Sequence, residues 1–216
     1  MSLITLKNVK KVYGKNQVLF ENLSLEIEKG EFVGLVGRSG AGKTTLLNII
    51  GLITDISAGT ITIDGHQNVS INSKKAMILR RYTIGYLFQN YGLIEDESVL
   101  WNLKLALEYK KIKKKEKLKL IDKYLKQFEL TDMLDKKVYQ LSGGEQQRIA
   151  IIKLILQGSR IILADEPTSG LDKENESIVM KLLKELNEDG ITIIMVTHNM
   201  NLLDCFSRVI NVENFR

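Results

Sequence analysis

The sequence predicts an α/β protein with a mostly parallel sheet, an antiparallel β layer near the N-terminus and an inserted α-helical subdomain. The first section alternates apolar and polar residues with a period of two, a middle segment has helical periodicity, and the last third alternates apolar strands with helices. Because 216 residues can bury one sizeable core, we expect one domain over 1–216. In it, 1–90 and 158–216 form the core with the antiparallel layer, and about 91–157 form the helical subdomain.

The period-two alternation predicts the antiparallel layer. Leu23, Leu25 and Ile27 fall on one face of a strand. A further strand, Thr60 to Ile63, runs into Asp64 and Gly65, a pair that is typical of a hairpin turn.

A glycine-rich loop follows the apolar run Phe32 to Val36. The loop reads Gly37, Arg38, Ser39, Gly40, Ala41, Gly42, Lys43 and Thr44, and Thr45 begins a helix-like segment. The glycines let successive backbone N–H groups point at a nucleotide β-phosphate, and the helix offers its positive N-terminal end. Lys43 then reaches the β- and γ-phosphates, and the Thr44 hydroxyl can ligate Mg2+. A turn that binds nothing is the alternative, and the order strand, loop, helix favours a phosphate loop, hence a P-loop NTPase core.

The middle of the chain predicts one buried strand and then helices. The strand, Ile84 to Phe88, ends at Gln89. From Glu95 to about Glu129 the pattern is helical, and 96–98 supply a charged first turn. The apolar stripe of this first helix is Val99, Leu103, Ala106 and Leu107.

The net charge of +5 is concentrated in one window. Residues 110–126 hold nine lysines against Glu116 and Asp122, a local charge of +7 that leaves −2 on the rest of the chain. An amphipathic helix is predicted here by its apolar residues Leu118, Ile121, Leu125 and Phe128. The lysines form either a solvated face or a contact with anionic lipid headgroups or an acidic partner.

The last third predicts a parallel sheet covered on both faces. Its strands are 160–165, 191–196 and 208–212, and a helix from Lys173 to Asp189 is closed by Gly190. In such sheets the ligand crevice lies at the carboxyl ends of the strands.

Polar residues stand at these carboxyl ends. Asp165 can bind Mg2+, and Glu166, one residue further along an extended chain, can orient and deprotonate the attacking water. His198 can contact a γ-phosphate, and Gln89 can touch the Mg2+ ion or the water. The alternatives are a surface acidic pair, a structural histidine and an ordinary turn glutamine.

A second glycine-containing segment precedes an apolar helix from Ile149 to Leu156. The segment is Leu141, Ser142, Gly143, Gly144 and Glu145, continuing with Gln146, Gln147 and Arg148. A serine and two glycines ahead of a helix N-terminus form a second anion site. Here the chain resembles the ATP-binding cassette family, in which this signature of one subunit caps the ATP held by the phosphate loop of another.

The resemblance covers nearly the whole chain and implies further roles. Tyr13 matches the aromatic residue that stacks on adenine, and the nucleotide-binding set extends to Thr45. Gln89 matches the Q-loop, Asp165 and Glu166 the acidic strand-end pair, and His198 the switch histidine. The D-loop is Ser169, Gly170, Leu171 and Asp172. The resemblance thus implies catalysis by Glu166, His198, Gln89 and Lys43, and Mg2+ ligation by Thr44, Gln89 and Asp165.

The segment 84–94 looks most like the branch that serves macrolide export, lipoprotein release and bacteriocin export, the last being nearest. Two departures stand out. Many members have Gln where this chain has Glu145, and a proline shortly after the Q-loop where it has 95–97.

The resemblance implies an ATPase subunit that powers a separate membrane permease, exporting a peptide, bacteriocin or antibiotic-like substrate. It implies ATP and Mg2+ as cofactors, an ATP-dependent head-to-tail homodimer and indirect membrane contact. One cysteine, the lack of a leader pattern and the lack of a long apolar run predict a protein of the reducing cytosol that does not span a membrane by itself. The resemblance implies a place on the inner face of the cell membrane, reached through the permease. Nucleic-acid partners are not expected, because DNA-repair and chromosome members need long insertions and ribosome factors carry two cassettes. A non-catalytic regulatory module is disfavoured because Glu166 and His198 are both present.

Overall fold

The fold is described for residues 2–14 and 17–215 of a computed structural model. The strands are β1 (Ser2–Tyr13), β2 (Gln17–Glu28), β3 (Phe32–Val36), β4 (Ala58–Ile63), β5 (His66–Gln67), β6 (Ile84–Leu87), β7 (Ile161–Asp165), β8 (Thr192–Val196) and β9 (Arg208–Asn211). The α-helices are α1 (Lys43–Ile50), α2 (Lys74–Tyr82), α3 (Val99–Ala106), α4 (Lys114–Gln127), α5 (Gly143–Gln157) and α6 (Lys173–Glu188). Short 3-10 helices cover Thr131–Met133, Val138–Gln140, Met200–Cys205 and Val212–Phe215.

The antiparallel layer has the strand order β2-β1-β4-β5, which confirms the predicted N-terminal sheet. Leu23, Leu25 and Ile27 are buried together, as their alternation predicts. Asp64 and Gly65 both have positive φ, at 50° and 73°, and join β4 to β5. Two successive positive φ values give the twist that a two-residue hairpin requires.

The second sheet is parallel, with the order β6-β7-β8-β3-β9, and confirms the predicted α/β class. Its central strands are buried on both faces, which explains their continuous apolar sequences. In β7, Ile161 and Leu163 face one hydrophobic cluster while Ile162 and Ala164 face the other. The carboxyl ends of these strands meet at one edge of the sheet, where the loops carry polar residues.

The two clusters cover opposite faces of this sheet. One joins the parallel sheet to the antiparallel layer and α1, and the other joins it to α3, α4, α5 and α6. Burying each large aliphatic side chain contributes about 1.5–3 kcal/mol. The phosphate-loop helix and the helical region are therefore anchored to the same strands from opposite sides.

The start of α3 differs from the sequence prediction. Ser98 is its N-cap and accepts a hydrogen bond from the Trp101 N–H at 3.1 Å, so 96–97 precede the helix and do not form a charged first turn. The buried Asn102 accepts from the Ile94 N–H at 2.8 Å and donates to the Ile94 carbonyl at 3.1 Å. The side chain of Asn102 thus fixes the loop before α3.

The amphipathic pattern of α4 is right for three of its four predicted core positions. Ile121, Leu125 and Phe128 are buried, but Leu118 is 38% exposed. Leu118 points in nearly the same direction as Leu125 but lies two turns earlier, beyond the apolar side chains that bury the later turns.

Across the described residues, no helix combines the length and the apolar character needed to cross a membrane.

Candidate functional site

The glycine-rich loop between β3 and α1 has the backbone that its composition predicts. Gly37, Gly40 and Gly42 have φ of 141°, 73° and 99°, a region that L side chains rarely adopt. A Cβ on Gly42 would also lie 2.7 Å from the Phe20 ring. Glycine is therefore required at position 42 both for backbone conformation and for packing.

Lys43 lies inside this loop. Its side chain is only 5% exposed, and Nζ donates to the carbonyl oxygens of Gly37 at 2.8 Å and Arg38 at 3.0 Å. A buried ammonium group and the N-terminus of α1 thus converge on one concave backbone segment. Both features favour an anion.

Asp165, at the end of β7, faces the first turn of α1. The Thr44 hydroxyl donates to Asp165 Oδ1 at 3.2 Å. Burial raises the pKa of Asp165, and the neighbouring Glu166 carboxylate adds to this rise against the hydrogen bond from Thr44. Two oxygen atoms from different elements meet beside the phosphate loop, and oxygen donors of this kind suit Mg2+.

Glu166 and His198 form a pair at the same edge of the sheet. Glu166 Oε1 lies 2.8 Å from His198 Nε2. The predicted extended backbone at Glu166 is wrong, because its φ is 49° and its N–H donates to the Val196 carbonyl at 3.1 Å. A left-handed glutamate costs about 1–3 kcal/mol of backbone strain, which such sites commonly carry.

Tyr13 and Gln89 are exposed and make fewer contacts than the site residues described above. Tyr13 is exposed, its hydroxyl lies 3.3 Å from Thr45 Oγ1, and the Lys11 ammonium is 4.7 Å from its ring centroid. Gln89 is exposed in the turn after β6. Over the described residues, the structure shows no hydrogen bond from Gln89 to the Thr44 and Asp165 pair.

The signature segment opens α5 through a capping box. Ser142 is the N-cap, and its N–H and its hydroxyl both donate to Glu145 Oε2 at 2.7 Å. Burial raises the pKa of Glu145, but the two Ser142 hydrogen bonds and nearby Arg148 outweigh it, so the pKa is lowered overall. The predicted glycines are the first residues of the helix itself. The spacing Ser-x-x-Glu could have identified this cap from sequence.

Asn175 joins the signature to the D-loop, a link that sequence reasoning missed. Its N–H and Nδ2 donate to the two carboxylate oxygens of Asp172 at 2.8 Å, and its Oδ1 accepts from Arg148 Nη1 at 3.0 Å. A Cβ on Gly144 would lie only 2.1 Å from Asn175 Oδ1, so that amide packs directly on the glycine. No local pattern could have revealed contacts between α5 and α6.

Within the described part of the chain, no hydrogen bond or ion pair joins 141–145 to the phosphate loop 37–45. The D-loop lies on the signature side: Leu171 is half-buried, Ser169 and Gly170 are exposed, and Gly170 has φ 77°. The chain therefore carries two separate helix N-termini, each of a kind that favours an anion.

A phosphate loop on a parallel sheet, with an acid at the next strand end, defines a P-loop nucleotide-binding protein. The family model described as ABC transporter matches residues 20–169. The chain belongs to the ABC transporter family.

Relatives and solved structures agree with this assignment. The chain is 42% identical over 212 residues to the macrolide export ATP-binding/permease protein MacB of Campylobacter jejuni, covering 98% of this chain and 33% of that protein. It is 40% identical over 215 residues to an uncharacterized ABC transporter ATP-binding protein of Methanocaldococcus jannaschii, covering 98% and 96%. The chain thus spans about a third of MacB. The dimeric post-hydrolysis structure of the ATP-binding cassette MJ0796 with ADP and Pi matches with TM-score 0.86 and 38% identity over 96% of this chain and 93% of that one.

Proposed function

We propose that this chain is the ATP-hydrolysing subunit of an ABC transporter and that it powers a separate membrane permease. The observation that carries the proposal is the Glu166 and His198 pair beside a complete phosphate loop. The MacB relatives are named ATP-binding/permease proteins, which supports a permease partner. Their name also favours export, and we extend it to a peptide, bacteriocin or antibiotic-like substrate.

ATP binds with its phosphates in the loop 37–45. Lys43 exchanges its two carbonyl contacts for the β- and γ-phosphate oxygens, and Tyr13 stacks on the adenine. Thr44 and Asp165, with Gln89 completing the set, hold Mg2+. The ion neutralises phosphate charge when it is bound.

Hydrolysis uses the strand-end pair. Glu166 accepts a proton from water as the water oxygen attacks the γ-phosphorus, the bond to the bridging oxygen breaks, and ADP leaves. His198 Nε2 lies against the Glu166 carboxylate and positions it. With ATP bound, His198 contacts a γ-phosphate oxygen in place of this carboxylate. The left-handed backbone of Glu166 turns its carboxylate out of the alternating pattern that the side chains of β7 follow.

Two copies assemble head to tail around ATP. The signature residues 141–145 and the D-loop 169–172 of one subunit act on the nucleotide held by the other. No hydrogen bond or ion pair that the structure shows for the described residues joins the signature to the phosphate loop, which supports this arrangement, as does the dimeric state of the similar MJ0796 cassette. The two-fold axis relates two equivalent sites, so the dimer binds two ATP molecules.

The permease binds in a groove after β6. A cavity of about 210 Å³ is lined there by Phe88, Tyr91 and Gly92 from the loop and by Arg80, Lys153 and Gln157 from α2 and α5. Ile94 is 47% exposed nearby, whereas Leu93 packs against the core cluster. Of these two residues, Ile94 is the one placed to contact a partner. Docking here would hold the subunit at the cytoplasmic face of the membrane.

Co-expression with each permease encoded beside this gene tests this function. We expect the two proteins to co-purify and the permease in vesicles to stimulate ATP hydrolysis. Unchanged ATPase activity in the presence of every permease encoded nearby would contradict the transporter role while leaving ATP hydrolysis itself intact.

A further inference from the structure

The lysine-rich segment has a use that ATP hydrolysis does not explain. The basic surface is defined as the nine lysines between 110 and 126, a window whose net charge of +7 exceeds the net charge of +5 of the whole chain. Six of the nine lysines lie in α4 and Lys113 is its N-cap, and the buried residues Ile121 and Leu125 fix the orientation of the helix. The lysines are therefore held on one ordered element and do not belong to a tail.

The acidic residues in this window do little to neutralise it. Glu116 accepts a hydrogen bond from the Lys113 N–H at 3.1 Å and caps the helix. Asp122 pairs with Lys126 at 2.8 Å, the single ion pair that the described residues show for these nine lysines. Positive charge on the first two turns of α4 thus faces outward without an acidic neighbour in ion-pair range.

An apolar side chain, Leu118, is exposed among these lysines. It lines a surface cavity of about 270 Å³ together with Lys104, Lys114, Lys117 and the single acidic residue Glu108, whose backbone carbonyl accepts a hydrogen bond from Lys117 Nζ at 3.5 Å. A face selected only for contact with water has no use for a leucine at this place, whereas basic and apolar groups together suit a membrane interface.

The basic surface adjoins the groove that we assign to the permease. A second cavity is lined by Arg80, Lys153 and Gln157, which also line that groove, and by Leu105 and Lys110 on the other side. The first lysine of the basic surface thus lies one cavity away from the docking groove. A subunit held under a permease by this groove would turn the basic surface toward the surrounding lipid.

We propose that the basic surface binds anionic phosphate headgroups of the inner membrane leaflet, with Leu118 entering the interface. This inference rests on the proposed permease docking for its orientation. Lipid contact limits the tilt of the subunit beneath the permease. Each lysine close to an anionic membrane strengthens binding by about fivefold, an effect that salt screens.

Vesicle flotation of the purified full chain tests the proposal. One variant carries Lys114→Gln, Lys115→Gln and Lys117→Gln, and the matched control carries Lys7→Gln, Lys29→Gln and Lys184→Gln at exposed positions outside this surface. With phosphatidylglycerol vesicles we expect the first variant to bind about a hundredfold more weakly than the parent, and the control to fall far less. Phosphatidylcholine vesicles should bind none of the three proteins.

Equal losses in both variants would overturn the proposal, since binding would then follow net charge alone. Failure of the parent to bind phosphatidylglycerol vesicles would overturn the proposal too. If the first variant then also lost its complex with the permease, the basic surface would bind an acidic protein segment and not lipid. ATP hydrolysis, measured on the same samples without lipid, should be equal in all three. Intact hydrolysis separates a failure of lipid binding from a failure of the proposed function.

Discussion

The Nε2 atom of His198 lies 2.8 Å from the Oε1 atom of Glu166, although 32 positions separate the two residues in the sequence. The contact depends on the parallel pairing of β7 with β8, in which Asp165 is opposite Val196. The Glu166 N–H donates to the carbonyl of this Val196, so one register fixes both the backbone and the side chain of Glu166. The strongest chemical feature of the site is thus a product of sheet topology.

Asn175 should act as a positioning residue between D-loop and signature. The variant Asn175→Leu removes the hydrogen bonds to Asp172 and Arg148, and loss of this partly exposed link corresponds to about tenfold in kcat. We expect KM for ATP to stay near the parent value, because Asn175 does not contact the phosphate loop. Steady-state kinetics with Ser177→Ala, an exposed position on the same helix, as control would show this. Equal changes in kcat and thermal stability across both variants would refute the role.

Ile94 and Leu93 should separate permease coupling from folding. Ile94→Asp places a charge on an exposed loop residue, so basal ATP hydrolysis and the melting temperature should stay near the parent values while stimulation by the permease is lost. Leu93→Asp places a charge against the core cluster and should lower stability by about 2 kcal/mol or more. Thermal melts and stimulated ATPase assays on both variants measure this. Retained stimulation in Ile94→Asp would move the docking surface elsewhere.

The capping box at Glu145 predicts a pH dependence of stability. Because the pKa of Glu145 is lowered below its ordinary value of 4.5 in the folded chain, the ionised carboxylate stabilises the fold above that value. This contribution is lost as the pH falls through the folded pKa. The melting temperature of the parent should therefore exceed that of Glu145→Gln near neutral pH, and the difference should shrink below pH 4.5. A difference that is constant in acid would show that the charge of Glu145 does not matter.

Local patterns predict much of this fold, because several elements are set by neighbouring residues. The phosphate loop needs positive φ at Gly37, Gly40 and Gly42, and glycine is the residue that permits it. The central strands follow from continuous apolar runs, whose burial on both faces of a parallel sheet the structure confirms.

Features that depend on distant partners could not be predicted in the same way. The left-handed backbone of Glu166 is stabilised by a carbonyl on another strand, and Asn175 acquires its role only when α6 packs near α5. Leu118 has the helical spacing of a core residue but stays exposed. The sequence of α4 does not say how far the elements that pack against the helix extend. The cap at Glu145 was readable from its spacing after Ser142, whereas these other features were not.

The most direct test of the account is the hydrolysis of one bound ATP by Glu166→Gln. The amide keeps the size of the side chain but cannot take the proton of the attacking water, so we expect single-turnover hydrolysis to slow by at least about a hundredfold. ATP binding should persist, and light scattering should show a monomer without nucleotide and a dimer with ATP and Mg2+. Hydrolysis at the parent rate by Glu166→Gln would contradict the assignment of Glu166 as the base.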